Sequence, residues 1–207
     1  MKREEKNRQT RRRILEGALA EFGRQGYGGS SINSLCAAQG ISKGIVYHYF
    51  ETKDALYLAC VAECFDLLTQ HLRAQLTGAG SAKAQLERYF RARLEFFRDH
   101  PAYQPLFCEA VTSPPEHLRE KVQAVRREFD ALNRETLEGL LCQLPLRASV
   151  TREEVADTFR QFQDFINARH SMAGSDPQEF EKREESCRRA LDLLLYGVIE
   201  RKDEEYV

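Results

Sequence analysis

Residues 40–56 read Gly40-Ile41-Ser42-Lys43-Gly44-Ile45-Val46-Tyr47-His48-Tyr49-Phe50-Glu51-Thr52-Lys53-Asp54-Ala55-Leu56. Gly40-Ile41 makes a tight turn, Ser42 offers its hydroxyl as N-cap to a short helix from Lys43 to about Tyr49, and Thr52 caps a further helix. Upstream, Ser30 and Ser31 offer cap hydroxyls to another short helix, about 31–39, that buries Ile32, Leu35 and Cys36. Before it, residues 10–25 form an amphipathic helix with Ile14, Leu15, Ala18, Leu19 and Phe22 on one broad face, ended by Gly26-Tyr27-Gly28-Gly29. Val46 and Phe50 read as core. Two short helices joined by a glycine turn are the helix-turn-helix plan, in which the second helix enters the major groove.

The remainder of the 207 residues also reads as helix. There are 12 Gly and 6 Pro, and 23 Leu stand against 15 Val and Ile together, with no alternating apolar run bounded by turns. Breaks at Gly26–Ser30, Gly40–Ser42, Glu51–Thr52, Gly78–Ser81, Pro101, Pro114–Pro115, Pro145–Val150 and Gly174–Pro177 leave about nine helical segments, an all-α chain. Thr151-Arg152-Glu153-Glu154 and Asp176-Pro177-Gln178-Glu179 fit capping boxes.

Charge is split unevenly. The total is -1, yet residues 1–50 hold nine basic and four acidic residues, a head of +5 on a body of −6. One end suits a polyanion and the other does not. The mixed run 2–13 admits two readings, a DNA role for Arg11, Arg12 and Arg13 or a solvated end. With 42% hydrophobic residues the chain can bury a core, and no apolar run approaches the roughly 18 residues of a membrane span. The charged N-terminus lacks an apolar export signal, and six cysteines without a CxxC pair read as thiols of a reducing cytoplasm.

The run from Gly40 to Leu56, with Ala18, Phe22, Gly26 and Tyr27 before it, resembles the signature of the TetR family of transcriptional regulators. In that family a G-(V/I)-S-x-x-x-(L/V)-Y-x-(H/Y)-F-x-(S/N/T)-K-x-x-L run spans the turn, the recognition helix and the start of helix four. The resemblance covers residues 10–56; beyond about residue 60 only length and helical layout agree. It implies a helix-turn-helix domain over 7–67 and an effector-binding and dimerisation domain over 68–207. Asn33, Lys43, Gly44 and Ile45 are then the base readers: an amide suits adenine, Lys43 suits guanine or a phosphate, Ile45 a thymine methyl, and Gly44 permits close approach. Ser31, Tyr47, Tyr49, Thr52 and Lys53 are the phosphate contacts, which set register. Tyr47 and Tyr49 also fit a second reading, as packing of the three-helix core.

The resemblance further implies a small-molecule effector in the C-terminal helices, a homodimer built from the last two, and a pseudo-palindromic double-stranded DNA operator. Phe65, Phe90, Phe97, Tyr103, Phe107 and Phe129 are the candidate pocket wall. Phe159, Phe162, Ile166, Leu191, Leu194, Leu195 and Val198 are the candidate interface. Cys60, Cys64, Leu67 and His71, spaced 4, 3 and 4, share one helix face, a candidate soft-metal or redox stripe in which Leu67 favours plain core. No fourth ligand is evident, so neither metal nor cofactor is expected. Acid pairs such as Glu184-Glu185 read as solvated faces. The alternative is a helical small-molecule binder or enzyme without DNA function, although no HExxH, Walker loop, G-x-S-x-G or dinucleotide fingerprint is present.

Overall fold

The first helix is longer than its apolar stripe predicts. In the structure, a computed structural model that describes residues 3–78, 80–170 and 177–198, α1 runs Arg3–Gly29. Side chains are described as far as Gln161, and in the last helix at 178, 181, 182, 184–193 and 197. The extension follows from the charges of the 2–13 run: Arg8 pairs with Glu5 and Arg12 with Glu16 at 2.9 Å, at helical spacings of three and four. Gly26, with φ 65 and ψ 174, breaks the helix before its last turn.

The next elements follow the capping pattern. Ser31 Oγ accepts the Ser34 N–H at 2.9 Å to start α2 (Ile32–Gln39), and Ser42 Oγ accepts the Ile45 N–H at 3.4 Å to start α3 (Lys43–Tyr49). Thr52 Oγ1 accepts the Ala55 N–H at 3.0 Å to start α4 (Lys53–Gln75). Gly40 closes α2 in the left-handed region, φ 60 and ψ 37, where a side chain is strained. A Cβ on Gly17 would lie 2.5 Å from Gln39 Cγ, so α2 approaches α1 there as closely as glycine allows.

α4 is the axis of the molecule. Its buried face carries Leu56, Val61, Cys64, Phe65, Leu68 and Leu72, and it packs against α1, α5 (Ala82–Asp99), α6 (Tyr103–Thr112), α7 (Arg119–Val125) and α8 (Arg127–Cys142). The division expected after residue 67 falls inside this unbroken helix, so both halves of the chain share one continuous element.

Ten α-helices are present among the described residues, with a 3₁₀ turn at Glu116–Leu118 and no strand. The count of nine fell one short because the break between α7 and α8 has neither glycine nor proline. Arg126 turns there, φ −85 and ψ 3, while its Nη2 donates to Asp130 Oδ1 at 2.9 Å and its guanidinium lies 5.9 Å from the Phe65 ring centre.

α9 (Arg152–His170) opens on the expected capping box: Thr151 Oγ1 accepts the Glu154 N–H at 3.2 Å, and Glu154 Oε2 accepts the Thr151 N–H at 2.8 Å. Asp176, the cap of the second box, lies outside the described residues. α9 and α10 (Pro177–Val198) pack on each other, α10 also on α5 and α9 also on α6 and α8. One interface expectation is corrected here. Leu191 is buried, 2% exposed, and serves the chain's own interior, while Phe159 is half-buried against the same core. The side chains of Phe162, Ile166, Leu194, Leu195 and Val198 lie outside the described residues, and Leu193, absent from that set, is 67% exposed.

Candidate nucleic-acid interface

α3 separates its faces sharply. Val46 and, at the C-cap, Phe50 are buried, whereas Lys43, Gly44, Ile45, Tyr47 and His48 are exposed. Ile45 is 43% and Tyr47 40% exposed, and Lys43 Nζ stands 5.8 Å from the Tyr47 ring centre. Nothing would meet a Cβ on Gly44 within 4 Å. Asn33 is exposed on α2. The packing reading of Tyr47 therefore fails, while Tyr49 is half-buried against the core and donates its hydroxyl to Asn7 Oδ1 at 2.7 Å.

Lys53 is committed inside the protein. Its Nζ donates to the Tyr27 carbonyl and, at 2.8 Å, to the Ser30 carbonyl, and it stands 4.2 Å from the Tyr27 ring centre. The lysine expected to clamp DNA thus also clamps the end of α1 to the start of α4. The same joint reaches the C-terminal helices. Glu109 of α6 accepts the Tyr27 N–H at 2.8 Å, and Asp54 accepts the Tyr27 hydroxyl and faces His117 Nε2 at 3.3 Å. Burial, with Asp54 as hydrogen-bond partner, pushes the Tyr27 phenol up to about 12, and burial raises the Glu109 carboxyl.

The Tyr27 hydroxyl holds Asp54 below its ordinary value of 3.8, with His117 acting in the same direction. A carboxyl with a depressed folded pKa stabilises above its unfolded pKa and loses that contribution as pH falls through the folded one. Asp54→Asn is therefore expected to lower the denaturation midpoint at pH 7 and to leave it close to wild type near pH 2. Urea unfolding followed by circular dichroism at both pH values checks this.

The three arginines of α1 also have partners. Arg12 donates to Glu16 and, at 2.8 Å, to Glu63, Arg13 to the Gln39 carbonyl, and the Arg11 guanidinium lies 5.3 Å from the Phe50 ring centre. Glu16 and Glu63 raise the Arg12 pKa against the opposing effect of burial. Two of these contacts tie α1 to α2 and α4.

In the second half, Phe65, Phe97, Phe107 and Phe129 close on one another at ring-centre distances of 4.9–5.9 Å. A cavity of about 30 Å³ lies beside them, and among the six pocket candidates only Phe90 lines it. Tyr103 is placed elsewhere: it donates its hydroxyl to Glu63, between α6 and α4. These five pack in the core and do not line this cavity, because burial alone does not say which ring borders an opening.

The group missed by sequence reading is ionic. Arg93 of α5 is 4% exposed; its Nη2 donates to Glu184 Oε1 at 2.9 Å and its Nη1 to the Tyr89 hydroxyl at 3.1 Å. Tyr89 in turn donates its hydroxyl to Asn133 Oδ1 at 2.5 Å. Burial alone would lower the Arg93 pKa, but Glu184 and Tyr89 turn it upward. Glu184 is thus a buried counter-ion from α10, not part of a solvated acid pair, while its neighbour Glu185 is exposed and bonded to Arg188. Helix periodicity puts adjacent residues about 100° apart, but only the tertiary arrangement supplies the cation.

Cys60 and Cys64 are buried, each with its Sγ 3.9 Å from a carbonyl oxygen, that of Leu15 and that of Tyr103. Burial pushes the Cys60 thiol up to about 12 and Cys64 well above its ordinary value of 9.0, so neither supplies a thiolate near pH 7. His71 packs its ring against Phe96 at 5.7 Å, and among the described residues no three His, Cys, Asp or Glu side chains are grouped to hold a metal. A thiol reagent should modify exposed Cys142 in the native protein and Cys60 and Cys64 only after unfolding, as read by peptide mass mapping. Native labelling of Cys64 would restore the redox stripe.

A capped turn, a short helix with one exposed edge and a helical body form a helix-turn-helix arrangement. Residues 14–60 match the model of the bacterial regulatory proteins, tetR family, a segment of under a quarter of the chain. It is similar to the HTH-type transcriptional regulator RutR of Escherichia coli strain K12, 33% identical over 95 residues that cover 46% of this chain and 44% of that protein. It is also similar to YerO, an HTH-type transcriptional regulator of Bacillus subtilis strain 168, 26% identical over 129 residues, 60% of this chain and 44% of that protein. The matches thus span less than half of either relative. The fold likeness runs further: the transcriptional regulator FadR of Bacillus subtilis, solved with stearoyl-CoA, aligns over 90% of this chain and 98% of its own with a TM-score of 0.68 at 14% identity. No described helix is long and apolar enough to cross a membrane.

Proposed function

We propose that this chain is a DNA-binding transcriptional repressor, acting in the cytoplasm as a homodimer on a pseudo-palindromic operator and released by a small-molecule effector. The observation that carries this reading is the edge of α3, where Lys43, Gly44, Ile45 and Tyr47 stand exposed while Val46 is buried. In a helix-turn-helix the N-terminal end of the second helix meets base edges. Asn33, Lys43, Gly44 and Ile45 are the readers; Ser31, Tyr47, Tyr49, Thr52 and Lys53 hold phosphates, Lys53 by exchanging or sharing its carbonyl partners. Residues 7–67 form the reading head, and 68–207 bind effector and partner, with exposed Leu193 on α10 adding to the apolar contact between copies.

Effector must favour one arrangement of the two heads by differential affinity. Tyr27, Asp54, Glu109 and His117 are the joint through which α6 and the 3₁₀ turn act on α1 and α4. Fluorescence anisotropy with the duplex upstream of its own coding region tests the proposal. Saturable binding that weakens with salt supports it; no binding at low salt overturns it.

A further inference from the structure

Buried arginines are held for something, because an ion pair inside a protein seldom stabilises more than apolar residues of the same size. Arg93 and Glu184 form such a pair, with side chains 5% and 2% exposed. The guanidinium is flanked by the rings of Tyr89, Phe107 and Phe129 at 5.4–5.8 Å, which hold it without using its hydrogen atoms. Its Nε is buried and has no hydrogen-bond partner among the described residues. The cation therefore has a donor to spare, on the edge that a carboxylate binding side-on would use.

The cavity lies at the end of this polar chain. Tyr89, which accepts from Arg93, and Asn133, which accepts from Tyr89, both line it, and Thr136 adds a third polar group. The rest of the wall is apolar, including Leu86, Leu140 and Leu191. At about 30 Å³ it holds roughly two waters, so an organic ligand enters only by displacing something. Arg93 and Glu184 are not in its wall but are joined to it through Tyr89, and Glu184, an internal carboxylate carried on α10, is the group that a ligand reaching Arg93 would displace.

We propose that the effector is a small carboxylate with a compact apolar body, which takes Arg93 from Glu184. This rests on reading the C-terminal helices as the effector-binding part. A displaced Glu184 loses the guanidinium that compensates its burial, and a shift of α10 against α5 returns it to water. The ligand is thereby recognised through its charge and reported through α10.

Isothermal titration with acetate, butyrate, hexanoate and benzoate, each beside its primary amide, tests this. At least one carboxylate should bind the wild-type protein, its amide tenfold or more weakly. Glu184→Gln, which removes the competing anion, should tighten that carboxylate at least tenfold, and Arg93→Gln should abolish it. Should either variant fail to fold, Asn133→Asp puts a charge on the cavity wall and should weaken the carboxylate tenfold while sparing any binding of the amide. Amide binding equal to carboxylate, unchanged affinity in Asn133→Asp, or no carboxylate bound by wild type or folded Glu184→Gln overturns the proposal. A carboxylate that binds with this pattern yet leaves DNA affinity unchanged supports the site and overturns the sensor reading.

Discussion

Gly44→Ala is expected to make the protein more stable and its operator complex at least tenfold weaker. The two effects have separate causes. Gly44 lies in α3 without a positive φ, and no atom of the protein would meet an added Cβ within 4 Å. Alanine there reduces the freedom of the unfolded chain and favours the helix by up to about 1 kcal/mol. For a chain of this size that is a rise in Tm of roughly 2–4 °C. A glycine exposed in a helix, with no contact of its own to protect, is explained by what approaches from outside. A methyl group between the α3 backbone and the DNA would keep Lys43 and Ile45 from their base edges. Tenfold is about 1.4 kcal/mol, well within the range of one lost base contact. Differential scanning calorimetry and anisotropy on one preparation check both halves. A higher Tm with unchanged affinity would mean that the start of α3 does not reach the groove floor, and would move the reading edge toward Tyr47 and His48.

What the sequence revealed and what it hid follow one physical division. The N-terminal helix-turn-helix is built from local devices: cap hydroxyls at Ser31, Ser42 and Thr52, a left-handed glycine at position 40, and apolar residues such as Ile32 and Leu35 at helical spacing. Each acts within a few residues, so its signal lies in adjacent letters. Lys53 and Arg12 are different. Their types suit a phosphate, but their partners lie 23 to 51 residues away, and only the folded chain shows that carbonyls and Glu63 already engage them. The aromatic set shows the same limit. Helical spacing marked Phe65, Phe97, Phe107 and Phe129 as inward-facing, which holds, but a cavity is the space left over after packing, and its wall falls to Tyr89, Asn133 and Leu191 as much as to any phenylalanine. Arg126 breaks a helix with no breaker in its sequence, held by Asp130 and the face of Phe65.

The largest stability effect is expected at the buried ion pair. Arg93→Met takes the guanidinium away from a Glu184 side chain that is 2% exposed, and removing one partner of such a pair costs about 3–5 kcal/mol. In Tm that is a fall of roughly 10 °C. Removing both partners should behave differently. In Arg93→Met with Glu184→Leu no charge is left to desolvate, the introduced thioether side chain can lie among the faces of Tyr89, Phe107 and Phe129, and stability should return to within about 1 kcal/mol of wild type or exceed it. Urea denaturation of the wild type, both single variants and the double variant gives the coupling energy directly. Single losses below about 1 kcal/mol would mean that water reaches the pair and that neither residue is in the low-dielectric setting assigned to it. Recovery in the double variant would carry a further consequence: the pair is then dispensable for folding, and its presence calls for a reason in binding. The doubly substituted protein, folded and able to bind DNA, should be insensitive to any carboxylate that releases the wild type. The cost of burying Arg93 and Glu184 would then be set against response, and α10 would carry it because that helix brings the carboxylate that Arg93 holds.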